Sequence, residues 1–249
     1  MIKFTNTFPQ YIHWGNQIGG FAQRSMLWWA YFISLPAGGH LHGPVWISDP
    51  GDADDEVSYA YTDHTTGFLY WVFGWTGSNP AWRTNSAFNT AGRWYRFGIT
   101  YDNGSVSNDP IFYVDGVSQA STELGAPSGS PKLGTTSQQF GSGGWGGPTI
   151  DGYWDGLCTY DVILTPEEMA RDYAMRRNVV IERGLRFAAI LNGSKGRQTF
   201  NGVTFDSNDR FLDPISRLEG IPKNSNSFYP TGGSYPIGFG SEIMRGVRV

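Results

Sequence analysis

The chain has 249 residues and a formal net charge of −4 at pH 7, with 39% hydrophobic, 16% aromatic and 16% charged residues. This balance argues against a bulk-basic nucleic-acid binder and fits one aromatic-rich β domain with an extension. No run of about 18 apolar residues occurs, so no membrane-spanning helix is expected, and the single cysteine, Cys158, rules out an intrachain disulfide.

In chain order, residues 1–25 read as a lead-in and first strand anchored by Phe4, Phe8, Tyr11 and Trp14. Met26 to Leu35 is an aromatic strand expected at the centre of a sheet, and His40 to Ile47 is another. Pro50 to Glu56 is an acidic loop. Val57 to Tyr61 and Phe68 to Trp75 read as a hairpin, and Trp82 to Phe88 leads into the next strand. Tyr95, Phe97, Ile99 and Tyr101 alternate with Trp94, Arg96, Gly98 and Thr100, the period of a strand. Asp102-Asn103-Gly104 breaks that strand, Ile111 to Val114 resumes it, and Asp115-Gly116 is a tight-turn dipeptide. Lys132 to Phe140 reads as a strand, followed by a Gly-rich loop, Ser142 to Pro148, around Trp145.

Ile150 to Glu168 predicts a closing strand and then a helix. Thr165 suits an N-cap, Pro166 suits the first helical position, and Glu168 can reach back to the Thr165 amide, which makes a capping box. Met169, Ala170, Tyr173 and Ala174 then recur at helical spacing, with an end near Asn178. Beyond Val179 periodicity weakens. Arg186 to Leu191 and Thr199 to Phe205 are expected strands joined by a hairpin loop at Asn192 to Gly196. After Asp206 the chain is rich in Pro, Ser, Asn and Gly, with sparse aromatic anchors. Such a segment has too little apolar surface to fold alone; it either wraps its own sandwich or orders on another surface. Residues 1–170 carry 6 Lys and Arg against 15 Asp and Glu, a net of −9, while residues 171–249 carry 12 against 7, a net of +5. All 10 Trp lie between Trp14 and Trp154.

Trp94, Thr100-Tyr101-Asp102, Tyr113-Val114-Asp115-Gly116, Asp151-Gly152, Asp155, Tyr160-Asp161 and Leu164-Thr165-Pro166-Glu167-Glu168 occur in an order that resembles the laminin-G-like branch of the concanavalin A-like lectin/glucanase superfamily. The resemblance covers roughly residues 20 to 175. It implies an all-β fold: a jelly-roll sandwich of two antiparallel sheets over residues 1–178, one short helix, and an extended C-terminal arm over 179–249. It does not by itself imply one function, because sugar binders, adhesion modules and virion proteins share this fold.

The candidate sites follow from residue chemistry. Glucanases of the superfamily carry a Glu-x-Asp-x-x-Glu strand, and this chain has none, so no enzyme activity is expected. For sugar, Trp145 between glycines, with Trp82 and Trp75, offers indoles that stack on pyranose faces; the alternative for the stripe Trp71, Phe73 and Trp75 is burial in the core. Asp52, Asp54 and Asp55 form the acidic loop where calcium, a hard cation, would find several oxygens. His40 and His42 share one strand face without a third ligand nearby. The C-terminal arm carries Phe211, Phe228, Tyr229, Tyr235, Phe239, Arg245 and Arg248 as assembly anchors. Its dispersed Arg residues match no nucleic-acid motif, and a protein partner suits them better.

The leading expectation is a non-enzymatic virion protein, a bacteriophage capsid-decoration or fibre-associated component with a lectin-like outer domain. Its partners would be other virion proteins or copies of itself through the arm, with glycans as a further ligand, and neither nucleic acid nor membrane. Met1 to Asn6 lacks the pattern of an export leader, which places assembly in a host cytoplasm. The alternative is a secreted carbohydrate-binding lectin, and the third reading is a polysaccharide-active enzyme.

Overall fold

The structure, a computed structural model, describes residues 2–4, 10–15, 21–34, 40–48, 56–63, 65–132, 137–141, 151–175, 181, 183–189, 197–200, 203–206 and 221–224. In chain order the strands are β1 (Ile2–Phe4), β2 (Gln10–Gly15), β3 (Gln23–Ser34), β4 (His40–Ser48), β5 (Glu56–Asp63), β6 (Phe68–Phe73), β7 (Ala81–Ala87), β8 (Trp94–Asp102) and β9 (Ile111–Val114). There follow β10 (Val117–Gln119), β11 (Ser121–Glu123), β12 (Ser137–Gly141), β13 (Asp151–Tyr160), the helix α1 (Pro166–Met175), β14 (Leu185–Ala189), β15 (Arg197–Phe200), β16 (Val203–Asp206) and β17 (Ile221–Asn224).

Among the described residues these strands make two antiparallel sheets. The first runs β10-β9-β8-β3-β13-β1-β16-β15, with β14 also beside β13; the second runs β11-β7-β6-β5-β4-β12-β2-β17. Together they form the jelly-roll sandwich expected from the sequence. The aromatic strand β3 lies centrally, between β8 and β13. The turn joining β9 and β10 has positive φ at both Asp115 (53°) and Gly116 (80°), the type I′ geometry that Asp-Gly favours.

Alternation sorts each strand into two faces. The inner faces bring Trp28, Phe32, Phe97, Tyr101 and Trp154 of the first sheet against Leu69, Trp71, Phe73 and Trp82 of the second. Ring contacts cross the gap, with Phe73 5.2 Å and Trp82 5.3 Å from Tyr101 between centroids. Each such ring, wholly removed from water, contributes roughly 1.5–3 kcal/mol to folding.

The outer face of the first sheet is closed by α1. Thr165 Oγ1 accepts from the Glu168 amide (3.2 Å) and Glu168 Oε2 accepts from the Thr165 amide (2.8 Å), so the predicted capping box is formed. Met169 packs with Leu27, Tyr113, Cys158, Tyr160, Leu164 and Ile181. Gly98 lets the helix approach, since a Cβ there would lie 3.3 Å from Met169 Sδ. Of the apolar positions at helical spacing Met169 is buried and Ala170, Tyr173 and Ala174 are exposed, and the other buried helix position is Asp172. Asp172 is buried because Arg96 on β8 meets it: Nε donates to Oδ2 (2.6 Å) and Nη2 to Oδ1 (3.0 Å). A register shift between Asp155 and Cys158 bulges β13, and the Gly156 carbonyl there accepts from Arg96 Nη1 (2.7 Å).

Of the strand expected over Lys132 to Phe140, Ser137 onward forms β12, Lys132 is not in a strand, and 133–136 lie outside the described residues. The single strand expected at Thr199 to Phe205 is a hairpin, β15 with β16, in which Phe200 opposes Val203. The loop expected at Asn192 to Gly196 lies outside the described residues; among those described, β14 pairs with β13 and β15 with β16. Past residue 178, β14, β16 and β17 pair with β13, β1 and β2 respectively.

Candidate functional site

With α1 on the outer face of the first sheet, the outer face of the second sheet is a further broad surface among the described residues. Inward positions Ala60, Leu69, Trp71, Trp82 and Thr84 are buried, which turns Tyr59, Tyr61, Tyr70 and Arg83 outward, each partly exposed. Register then aligns them across the strands. Thr122 on β11 opposes Arg83 on β7, Arg83 opposes Tyr70 on β6, Tyr70 opposes Tyr61 on β5, and Tyr61 opposes His42 on β4. Four inter-strand steps of about 4.8 Å give a row of roughly 19 Å. In the neighbouring row Tyr59 opposes Trp46.

Tyr61 and Tyr70 stack with centroids 4.6 Å apart and planes 5° from parallel, and Tyr59 extends the stack at 5.8 Å from Tyr61. The spacing matches the distance between strands, so the rings stand side by side like slices. Their faces cover one another, so the stack presents ring edges and phenol oxygens. Burial, then Tyr59, Tyr70 and Asp63, hold the Tyr61 phenol far above its ordinary pKa, so it stays a neutral hydrogen-bond donor across the physiological range. At the end of the row the Arg83 guanidinium lies over the Phe68 ring, 4.5 Å from its centroid. Thr122 Oγ1 donates to Asn85 Oδ1 (2.7 Å) beside it. Aromatic edges with a few convergent donors are the composition of a small-ligand surface.

The outer face of the first sheet also carries rings beyond the edge of α1. Tyr31 lies 5.4 Å from Trp94 and 5.9 Å from Tyr153. Charged neighbours there are already engaged: Arg93 donates to Asp115, and Asp115 Oδ1 accepts from the Arg96 amide (2.9 Å). The second sheet offers the longer alignment of rings and polar groups across neighbouring strands.

The residues singled out in the sequence do not assemble here. Trp75 and Trp82 lie in the core, 2% and 0% exposed; Trp82 Nε1 donates to Asp109 Oδ1 (2.8 Å). An indole enclosed between the sheets has no face to give a sugar, so these two are corrected to core residues. Trp145, the acidic residues Asp52, Asp54 and Asp55, and the anchors Phe211, Phe228, Tyr229, Tyr235, Phe239, Arg245 and Arg248 lie outside the described residues. Among the described residues no group of three or more His, Cys, Asp or Glu is placed to hold a metal ion, and no helix is long and apolar enough to cross a membrane. The tyrosine row went unread in the sequence. Its only signal was Tyr59-x-Tyr61 in one arm of the expected hairpin and Tyr70 in the other.

Comparison with known proteins agrees with the architecture. A laminin G-type family model, described as the concanavalin A-like lectin/glucanases superfamily, matches residues 10–170. The chain belongs to that superfamily. A search of curated proteins finds no match. Among solved structures, this concanavalin A-like chain is similar to a heptameric SAP-like pentraxin from Limulus polyphemus, with a TM-score of 0.54 and 14% identity over 74% of this chain and 84% of that one. It is also similar to a putative carbohydrate binding protein from Bacteroides ovatus, with a TM-score of 0.53 and 15% identity over 89% of this chain. It spans 59% of the length of the Bacteroides protein. At these identities the likeness is one of fold, and that fold is lectin-like.

Proposed function

We propose that this chain is a non-enzymatic glycan-binding module whose binding surface is the outer face of the second sheet. The observation that carries the reading is the row Thr122, Arg83, Tyr70 and Tyr61, aligned by register on one face of a concanavalin A-like sandwich. Phenol and guanidinium donors at regular steps suit the hydroxyls of successive sugars, and ring edges suit their C–H faces. The test is a glycan array followed by calorimetry with Tyr61→Ala, Tyr70→Ala and, as control, Trp94→Ala. Loss of binding of about tenfold or more, equal to about 1.4 kcal/mol, is expected for the two tyrosines and not for Trp94. Glycans should be recovered uncleaved. Equal binding by all four proteins would sink the assignment to this face. Calcium remains part of the proposal through Asp52, Asp54 and Asp55: if it bridges sugar to protein, EDTA weakens binding and added calcium restores it.

A virion role is a second reading. Its support is the charge division, −9 over 1–170 against +5 over 171–249, with the aromatic-studded basic segment lying beyond the family match, which ends at residue 170. Such a segment suits anchoring to a larger assembly while the sandwich meets glycans. Mass spectrometry and light scattering of native material decide it: co-purification with a particle supports the role, and a free monomer or small oligomer refutes it.

A further inference from the structure

We infer that the glycan taken by this face is acidic, with a sugar carboxylate seated on Arg83. The inference rests on the glycan-binding reading and adds the substrate class. Arg83 occurs in none of the ion pairs among the described residues, whereas Arg93, Arg96 and Arg183 each meet a carboxylate there. Its Nε is buried without a hydrogen-bond partner. Glu123, the carboxylate nearest in register, opposes Trp82 rather than Arg83 and so belongs to the other face of the sheet. Asp63 on the same face has its Oδ1 occupied by the Thr65 amide (3.0 Å), the Thr66 amide (2.6 Å) and the Thr66 hydroxyl (2.9 Å).

The guanidinium is also held in place. Its central carbon lies over the Phe68 ring, 4.5 Å from the centroid, and a guanidinium fork presents parallel N–H groups that match the two oxygens of a carboxylate. Tyr70, directly opposite on the flanking strand, brings a phenol to the neighbouring position, while the Thr122 hydroxyl on the other side already donates to Asn85 Oδ1. The row thus reads as an anion position at the β7 end followed by neutral donors toward β5. A hexuronic acid and a nonulosonic acid both supply this carboxylate.

The test uses the full chain and two matched pairs of probes: tetragalacturonate against its carboxyl-reduced form, and sialyllactose against lactose. Calorimetry should show the acidic member of at least one pair bound tenfold or more tightly, and the pair that responds identifies the sugar acid. Arg83→Gln should abolish that preference, bringing the acidic and neutral members of the pair to equal affinity. Arg83→Lys, which keeps charge and stem but not the fork, should lose most of it. Should Arg83→Gln fail to fold, the matched probes on the parent chain and the Lys variant still decide. Neutral and acidic members bound equally, or a preference that survives Arg83→Gln, overturns the acidic assignment while the glycan reading stands. Preference for sulfated neutral glycans over both carboxylates overturns it likewise. Absence of binding to any glycan on an array brings down both readings.

Discussion

Replacing Asp172 by alanine tests what holds α1 on the first sheet. Arg96 and Asp172 are 4% and 2% exposed and share two hydrogen bonds, at 2.6 and 3.0 Å. Burial pulls the Arg96 pKa down, but the charge and hydrogen bonds of Asp172 carry it above its ordinary value, so the guanidinium is charged in the fold. Alanine would leave that cation buried with the Gly156 carbonyl (2.7 Å) and the Trp29 ring, 5.5 Å away, as its remaining partners. Breaking a buried pair by removing one member costs roughly 3–5 kcal/mol. In a chain of this size about 1 kcal/mol moves Tm by about 2–4 °C, so a fall of roughly 6–20 °C is expected. Urea unfolding followed by tryptophan fluorescence should show a lower midpoint with an unchanged slope. The double variant Arg96→Met, Asp172→Leu removes both charges at similar volume and should recover most of the loss, because a buried pair is weak evidence of net stabilisation. A loss below about 1 kcal/mol in the single variant, well under the range for a buried pair, would refute the reasoning. So would a double variant as unstable as the single one.

Gly116→Ala should destabilise by more than about 1 kcal/mol in urea, since φ there is +80° and a Cβ would sit 3.0 Å from the Ala170 Cα. Thr165→Ala, which removes the N-cap oxygen, should lower stability by about 1 kcal/mol, and an unchanged midpoint would argue against the cap. Hydrogen bonding from Arg183, helped by the Thr165 amide and opposed by burial, holds the Glu168 carboxyl below its ordinary 4.5. A carboxylate depressed in the fold stabilises fully above its unfolded pKa and loses that contribution as pH falls through the folded value. The stability gap between the parent and Glu168→Gln should therefore be constant above about pH 5 and close toward acid; a gap that widens on acidification contradicts the assignment. Burial pushes the Cys158 thiol up to about 11, so a disulfide exchange reagent should label it only after unfolding, and rapid labelling of native protein would show the helix interface open.

Local chemistry alone specified much of this fold. Alternation from Tyr95 to Tyr101 marked β8, the Asp115-Gly116 dipeptide marked the next turn, and Thr165 with Glu168 marked the start of α1. Each signal is complete within a few residues, because backbone conformation at those positions depends on immediate neighbours. The site was not legible in that way. Thr122, Arg83, Tyr70 and Tyr61 are scattered over about 60 residues, and only strand order and register set them in line. A shift of one residue in any of those pairings would turn the row inward. The same holds for Asp172, which lies outside the apolar spacing of the helix and is buried because Arg96, 76 residues earlier, is brought beneath it. Trp75 and Trp82 show the converse: an exposed ring and a core ring are the same letters in a strand, and which face each one takes is decided by where the second layer lands. Local sequence patterns determined that this chain would fold as an aromatic-rich sandwich; tertiary packing decided which rings fill it and which face outward, because burial is a property of opposed surfaces rather than of any one strand.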